Sequence, residues 1–171
     1  ESRLSEAIEM TIDAGTWNVP TLSIVEHLAI PDDPEEMADW DEMKYLPQDL
    51  VQGWVDSKRT FLDRYNIDRE TAMRLVDLRR QITRELHDSG APIVLGSDAP
   101  QFFNVPGFSI HREMRMMVDS GLTPFEVLVT GTRNAGRYYE DAVPFGTVEE
   151  GSLANLILLE ANPIEDIGHV R

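Results

Sequence analysis

The feature that most constrains the fold is an apolar run without polar alternation, Ala91-Pro92-Ile93-Val94-Leu95-Gly96. A strand that is covered on both faces has this composition, as in a parallel α/β sheet. The run follows a predicted helix, which has a candidate N-cap at Asp68. The apolar side chains predicted to share the inner face of this helix are Leu75, Leu78, Ile82 and Leu86. A helix that leads directly into a covered strand indicates an α/β architecture.

The other segments extend this pattern in both directions. Before the helix and strand above, the sequence predicts a helix over residues 2–14, a strand over 17–25 and a long irregular insertion over 30–49. After them it predicts a helix from Ser109, with Met114, Met117 and Val118 facing inward, and a helix that begins with a capping box at Thr123. A small β element is predicted over residues 145–159. This order is typical of a (β/α) barrel near its C-terminal end. A full eight-stranded barrel takes about 250 residues, so a chain of 171 residues is expected to form an open part of a TIM barrel.

The chain is strongly acidic, with 31 acidic residues, 15 basic residues and a net charge of −16. This charge repels phosphate backbones and anionic lipid surfaces, so neither a nucleic-acid partner nor a membrane partner is expected. The acids concentrate between residues 26 and 49, which indicates either a solvated surface segment or a lid that favours cationic substrates. The sequence contains no cysteine, so any metal ion must be held by histidine and carboxylate side chains.

The first residues have a helical pattern and no initiator methionine. They lack the basic start and the apolar stretch of a signal peptide. We therefore expect the true N-terminus to lie upstream of Glu1. The compartment stays undetermined, with the cytoplasm slightly favoured.

Asp98 is the strongest candidate for chemistry, because it directly follows the apolar run and Ser97. Catalytic side chains of barrel enzymes gather at the C-terminal ends of the strands, and we expect Asp98 to project from its strand into such a pocket. A carboxylate placed there can ligate a divalent cation, take a proton from water, or both. The alternative is that Asp98 only caps the turn Asp98-Ala99-Pro100. Local spacing leaves both possibilities open.

Two histidines are weaker candidates. His111 lies near the start of a predicted helix, whose N-terminal amides favour an anion. It is expected either to contact a carboxylate or carbonyl of the substrate, or to serve as a capping and packing residue. His27 follows the strand predicted over residues 17–25. It is expected either at the edge of the pocket or, as the favoured alternative, at the surface.

The loop after Asp98 supplies further candidates for substrate binding. Phe102 and Asn104, with Phe103 between them, are expected to line the substrate pocket. The alternative is that this apolar loop tip packs on its neighbours.

Six short motifs in the C-terminal part follow one another in an order typical of one enzyme family. They are Gly96-Ser97-Asp98-Ala99-Pro100, His111-Arg112-Glu113, Gly121-Leu122-Thr123-Pro124-Phe125-Glu126, Thr132-Arg133-Asn134-Ala135, Gly146-Thr147-Val148-Glu149-Glu150-Gly151-Ser152-Leu153-Ala154-Asn155-Leu156 and Asn162-Pro163-Ile164-Glu165-Asp166-Ile167. Together they resemble the C-terminal signature of the amidohydrolase superfamily, in particular its imidazolonepropionase-like and Xaa-Pro dipeptidase-like branch. Upstream, Val19-Pro20-Thr21-Leu22 resembles the seventh barrel strand of this family.

The resemblance implies a division into two domains. Residues 1–143 would form the C-terminal part of a metal-dependent-hydrolase TIM barrel, with about strands seven and eight and their helices. Residues 144–171 would form a segment of a small composite β domain.

The resemblance also implies that Asp98, at the end of the eighth strand, binds a metal ion and acts as general base and later as acid. The family's other ligands are a His-x-His pair on the first strand, a bridging carboxylated lysine or a glutamate, and histidines on strands five and six. No two of the four histidines here have His-x-His spacing, so these ligands would lie upstream of Glu1 and the chain alone should be inactive. Ser97 and Asn155 depart from the commoner Thr and Asp and alter no metal ligand.

By the same resemblance, the intact enzyme is a hydrolase that cleaves the C–N bonds of amides, peptides or cyclic amides with one or two divalent ions, most often zinc. Small-molecule or peptide substrates are expected, and a homo-oligomer is compatible with the pattern. Three alternatives stay open. They are a metal-free interaction protein that kept the barrel, a metal-dependent esterase or phosphotriesterase on the same fold, and an independent acidic α/β binding module.

Overall fold

The computed structural model describes residues 2–139 and 144–171, and within those ranges the regular structure is helical. The α-helices are α1 (Ser2–Asp13), α2 (Leu22–Ala29), α3 (Pro34–Ala38), α4 (Gln48–Tyr65), α5 (Arg69–Asp88), α6 (Ser109–Asp119), α7 (Pro124–Gly131) and α8 (Arg133–Tyr138). Two 3₁₀ turns lie at Asp41–Tyr45 and Ile167–Val170. No helix of the described residues combines the length and the apolar character that crossing a bilayer requires.

The helix boundaries that depend on neighbouring residues are confirmed. The Asp68 side chain accepts a hydrogen bond of 2.8 Å from the backbone N–H of Thr71, so α5 begins with the predicted N-cap. At the start of α7, Thr123 and Glu126 form both bonds of a capping box. α1 and α6 also begin where the sequence predicts them.

The inner face of α5 differs from the prediction. Leu75 and Leu78 are 40% and 49% exposed, whereas the buried residues of this helix are Ala72, Val76 and Thr83. α2 packs on this stripe of smaller side chains. Because the side chains at a contact set the distance between two helices, contact with α2 selects the small residues and leaves Leu75 and Leu78 outside. Leu86 is half-buried and packs against the hydrophobic core, as predicted.

The predicted strand over residues 17–25 is wrong from Leu22 onward, because α2 begins there. Thr21 has a φ of 47°, a left-handed conformation that ends the extended segment. The first two N–H groups of α2 then donate to the carboxylate of Glu113 on α6. A cap from a distant residue thus outweighs the β propensity of this segment.

Residues 91–96 are extended, but they form a single parallel bridge instead of the predicted regular strand. Two backbone hydrogen bonds of 2.9 Å join them to the earlier segment, one from Asn18 to Pro92 and one from Val94 back to Asn18. No regular strand forms anywhere in the ranges that the structure describes. The predicted α/β character is therefore limited to two neighbouring extended segments among helices.

Two hydrophobic cores are present among the described residues, and they join most of the helices. The larger core joins α2, α5, α6 and α7, and it includes Met114 and Met117, which face inward as predicted, with Val118 at its edge. The smaller core packs α3 and the first 3₁₀ turn against α4 and contains Phe103. Residues 30–49, which were predicted to be irregular, are therefore largely folded onto α4.

The β element predicted over residues 145–159 is not formed in the described residues, which have turns there. Three large apolar side chains of this segment are 70% to 100% exposed: Leu156, Ile157 and Leu158. Farther on, Ile167 is buried and packs against α6 in the larger core. The domain boundary predicted after residue 143 adjoins residues 140–143, which lie outside the described residues.

Candidate active site

Asp98 lies in the loop between the extended segment and α6, and the backbone of this loop is unusual. Asp98, Phe102 and Phe103 have φ values of 54°, 42° and 64°. Residues other than glycine rarely adopt this left-handed region, and such residues cluster at functional sites. The Asp98 carboxylate is exposed, and its Oδ1 accepts a hydrogen bond of 3.2 Å from Gln101 Nε2. It therefore projects to the surface of this chain. The covered strand predicted before it is not formed, and the pocket predicted at its end stays a prediction.

A set of buried polar side chains adjoins Asp98, and we call it the polar ring. Its members are each at most 7% exposed and are Ser23, Ser97, Asn104, Ser109 and Glu113. Asn104 Nδ2 donates to the carbonyl oxygen of Ser97 at 2.6 Å and to Ser23 Oγ at 3.3 Å. The hydroxyl oxygens of Ser97 and Ser109 lie 2.8 Å apart. The polar ring thus ties the residue before Asp98 to α2 and to α6.

The orientation of the Asn104 amide follows from its partners. A carbonyl oxygen can only accept, so the atom that faces the carbonyl of Ser97 must be the donor Nδ2. Asn104 is fully buried, and no described residue donates to its Oδ1. In this conformation its side chain cannot reach a substrate, which differs from the predicted lining role.

Both ends of α2 are capped by charged side chains from other helices. At the N-terminus, the backbone N–H groups of Leu22 and Ser23 donate to the Glu113 carboxylate at 2.7 and 2.8 Å. At the C-terminus, Lys58 Nζ donates to the carbonyl oxygens of His27 and Ile30 at 2.6 and 2.9 Å. A carboxylate and an ammonium group are the charges that the two helix ends favour. α2 is therefore held between α6 and α4.

These capping charges are buried, and burial changes their acidity. Burial raises the pKa of Glu113, although the two N–H donors of α2 favour the ionised carboxylate and oppose this change. Burial lowers the pKa of Lys58 to about 8. Lys58 is therefore still mostly charged at pH 7, as its capping role requires.

His27 is buried, so the predicted surface position is wrong. Its Nε2 lies 2.9 Å from Arg112 Nη1, and its Nδ1 lies 3.1 Å from the carbonyl oxygen of Phe102. Since arginine only donates, Nε2 accepts and Nδ1 carries the proton. Arg112 also lies over the Trp40 ring at 4.7 Å from its centroid and pairs with Glu42 at 3.2 Å. Burial and the neighbouring Arg112 lower the pKa of His27 to about 3, so the imidazole is neutral at pH 7.

The free energy of unfolding is expected to fall as the pH is lowered from about 6.5 towards about 3. In that interval His27 becomes protonated in the unfolded chain, whereas it stays neutral in the folded chain. The contribution reaches up to ~1.4 kcal/mol per pH unit. Urea denaturation across this range should show a shallower acid limb for His27→Gln, and an unchanged slope would contradict this role of His27.

His111 and Phe102 are half-buried, His111 in the first turn of α6 and Phe102 in the loop after Asp98. Burial, together with Arg171 and Arg115, lowers the pKa of His111, so its ring is neutral at pH 7. The predicted contacts of His111 and Phe102 with a substrate stay predictions. Phe103 is fully buried in the smaller core beside Trp54. For Phe103, the structure therefore agrees with the alternative that the loop tip packs on its neighbours.

The acidic segment over residues 26–49 lies largely at the surface. Its exposed acids are Asp33, Glu35, Glu36, Asp39, Asp41 and Asp49. Others pair with arginines, such as Asp32 with Arg69 at 2.5 Å. This arrangement agrees with a solvated surface segment that is anchored by its apolar side chains.

Asp98 can serve as one metal ligand but cannot form a site alone. In residues 2–139 and 144–171, no three histidine or carboxylate side chains are grouped as a metal ion would require. A zinc site takes about four ligands. The exposed Asp98 carboxylate, which no described side chain neutralises by an ion pair, fits as a single oxygen ligand of such a site.

Sequence reasoning missed three residues that shape this region. Arg112 and Glu113 stand in the motif His111-Arg112-Glu113, which supported the family resemblance without suggesting a role for either side chain. Lys58 lies within the long helix α4, and nothing in its local sequence signals a cap for a different helix.

Known proteins share both the sequence pattern and the fold of this chain. The model of the amidohydrolase family matches residues 6–170. Ochratoxinase from Aspergillus niger is 36% identical over 81 residues, which cover 46% of this chain and 16% of that protein. Imidazolonepropionase from Photorhabdus laumondii is 29% identical over 173 residues, covering 91% of this chain and 39% of that protein.

A solved structure described as a Xaa-Pro dipeptidase with bound methionine in the active site has the same fold. The TM-score is 0.65 at 24% sequence identity, and the match covers 96% of this chain and 34% of the dipeptidase chain. The chain therefore spans between about a sixth and two fifths of the length of these relatives. Because the family model spans nearly every residue, the chain belongs to the amidohydrolase family.

Proposed function

We propose that this chain is the C-terminal part of a metal-dependent amidohydrolase that cleaves C–N bonds in amides, peptides or cyclic amides. Amidohydrolases generally use divalent metal ions, and zinc is the ion we propose. The observation that carries the proposal is the state of Asp98. Its carboxylate is exposed and forms no ion pair within the described residues, while the polar ring holds the peptide before it.

Asp98 has two tasks in the proposed reaction. As a ligand it would hold the divalent ion, which would polarise the scissile carbonyl and lower the pKa of a bound water towards about 7. As a general base it accepts a proton from the attacking water at a carboxylate oxygen. The protonated Asp98 then delivers this proton to the leaving nitrogen and returns to the carboxylate.

Two half-buried residues complete the part of the site that this chain would supply. We propose that the neutral ring of His111 donates an N–H to a carbonyl or carboxylate of the substrate. Phe102 would contact an apolar part of the substrate. The names of the relatives, a Xaa-Pro dipeptidase and an imidazolonepropionase, support a peptide or small cyclic amide as substrate.

The remaining ligands belong, in this proposal, to polypeptide outside the chain. The chain spans 39% of the imidazolonepropionase and 34% of the dipeptidase. Several large apolar side chains have no cover in the described residues: Leu75 and Leu78 on α5, and Leu156, Ile157 and Leu158. Residues 1–143 would then be an open part of a TIM barrel, and residues 144–171 a segment of a small β domain.

The isolated chain is expected to associate with itself, because exposed apolar surface of this kind favours aggregation. Size-exclusion chromatography should show mass that increases with concentration, and a dye for apolar surfaces should bind strongly. The intact protein should show neither behaviour. A stable monomer that unfolds in one cooperative transition without binding dye would instead indicate an independent acidic module.

The function is tested on the intact protein that contains this chain. Dipeptides, N-acyl amino acids and cyclic amides are supplied as substrates, with a carboxylic ester and a phosphotriester as comparisons. We expect hydrolysis of a C–N substrate, loss of turnover after dialysis against a chelator, and recovery with Zn²⁺. Preferred ester or phosphotriester turnover would move the assignment to that class of hydrolase. Absence of both zinc binding and turnover would indicate an interaction protein.

A further inference from the structure

The peptide bond before Asp98 is held at its carbonyl end from the interior of the protein. The carbonyl oxygen of Ser97 accepts the 2.6 Å hydrogen bond from Asn104 Nδ2. Because Asn104 is fully buried, water does not compete for this bond. The direction of that carbonyl sets the plane of the peptide from which Asp98 continues.

A second route leads from Asn104 to the carboxylate itself. The backbone N–H of Asn104 donates to the carbonyl oxygen of Gln101 at 2.8 Å and closes the turn over residues 101–104. At the start of that turn, Gln101 Nε2 donates to Asp98 Oδ1 at 3.2 Å. Asn104 therefore restrains the backbone before Asp98 through its side chain, and the backbone of the turn that carries Gln101 through its own N–H.

Asn104 is in turn fixed to the rest of the fold. Its Nδ2 also lies 3.3 Å from Ser23 Oγ at the start of α2. α2 is capped by Glu113, and Ser109 on the same helix as Glu113 lies against Ser97 Oγ. The polar ring is thus anchored on α2 and α6, and both helices restrain the position of Asn104.

We propose that Asn104 is a positioning residue, which directs the Asp98 carboxylate through the carbonyl of Ser97 and through Gln101. The inference rests on the proposed function, since it assigns the residue that orients the proposed metal ligand. Partners that orient a metal ligand contribute about 10-fold to 100-fold in metal affinity or activity. Loss of a residue that lines the substrate pocket would raise KM. Loss of a positioning residue would instead weaken metal binding and lower kcat.

The test compares variants of the intact protein for Zn²⁺ affinity, measured by competition with a chromophoric chelator. Asp98→Asn sets the scale for loss of the ligand itself. Asn104→Ala is expected to weaken zinc binding about 10-fold to 100-fold. At saturating zinc it should lower kcat for a dipeptide that the wild type hydrolyses and leave KM nearly unchanged. The control Gln48→Ala removes an exposed amide at the start of α4 and should match the wild type.

Gln101→Ala keeps the test decisive if Asn104→Ala does not fold, because Gln101 is exposed and its loss removes only the contact with Asp98. We expect a fall in zinc affinity in the same assay that is smaller than that of Asn104→Ala, because only one exposed contact is lost. Wild-type zinc affinity and kcat in the folded Asn104 or Gln101 variants, alongside weakened binding in Asp98→Asn, would overturn the inference and leave the proposed function standing. An increase in KM alone would overturn it too, in favour of substrate lining. If Asp98→Asn itself binds zinc and turns over normally, the proposed function fails and the inference falls with it.

Discussion

Replacement of Asp98 by asparagine in the intact protein is expected to lower kcat by about 10²-fold to 10⁴-fold. Asparagine keeps the size of the side chain and can still accept from Gln101, so the loop should keep its conformation. It cannot accept the proton from water or return it to the leaving nitrogen, and it is a poor ligand for a hard divalent ion. Steady-state kinetics with zinc added in excess, and metal content by elemental analysis, measure the two losses separately.

The matched control for this substitution is Asp63→Asn, which removes an exposed carboxylate near the end of α4. Its kcat, KM and zinc content should equal those of the wild type. A nearly normal rate with full metal content in Asp98→Asn would refute the assignment of Asp98 and leave the local alternative, in which the side chain only caps a turn.

Replacement of Glu113 by alanine should produce the largest loss of stability in the described part of the chain. The substitution leaves two buried N–H groups at the start of α2 without an acceptor, and each such orphan costs about 1–3 kcal/mol. It also leaves a void where a fully buried side chain packs. We expect the free energy of unfolding of the intact protein to fall by about 3–5 kcal/mol in urea denaturation.

Glu113→Gln separates the cap from the volume of the side chain. Glutamine has one acceptor oxygen, so it can keep only one of the two hydrogen bonds from the backbone N–H groups of Leu22 and Ser23. At the other position its amide NH₂, a donor, would lie against a backbone N–H, which is also a donor. Its loss of stability should fall between those of the wild type and Glu113→Ala. Glu6→Ala removes an exposed carboxylate from α1 and should change stability little. Equal stabilities of Glu113→Ala and Glu6→Ala would show that Glu113 does not cap α2.

Sequence alone predicts those parts of the fold whose determinants lie within one helical turn. The N-cap at Asp68 and the capping box of Thr123 and Glu126 are correct because each bond joins residues three apart. The strand predicted over residues 17–25 fails because its end is decided by Glu113, which is 91 residues from Leu22. The predicted burial of Leu75 and Leu78 on α5 fails for a similar reason, since contact with α2 selects smaller side chains at that face.

The candidate site divides in the same way. Asp98 could be singled out because it follows an apolar run and belongs to a motif that resembles a known family. The bond between Asn104 and Ser23 joins residues 81 apart, so the interior position of Asn104 has no local signature. Burial of His27 likewise depends on Arg112, which is 85 residues away. Position along the chain suggested Asp98 as a candidate for chemistry, but not which residues surround it in the fold.

The packing of α3 and the first 3₁₀ turn around Phe103 limits how substrate range could be altered by engineering. Phe103 belongs to the loop that carries Asp98, yet its ring lies among Met37, Met43 and Trp54. Shortening or exchanging residues 30–49 would expose this ring and loosen the loop that carries Asp98. A designer who wishes to vary the insertion should therefore graft it together with residues 98–105 as one unit.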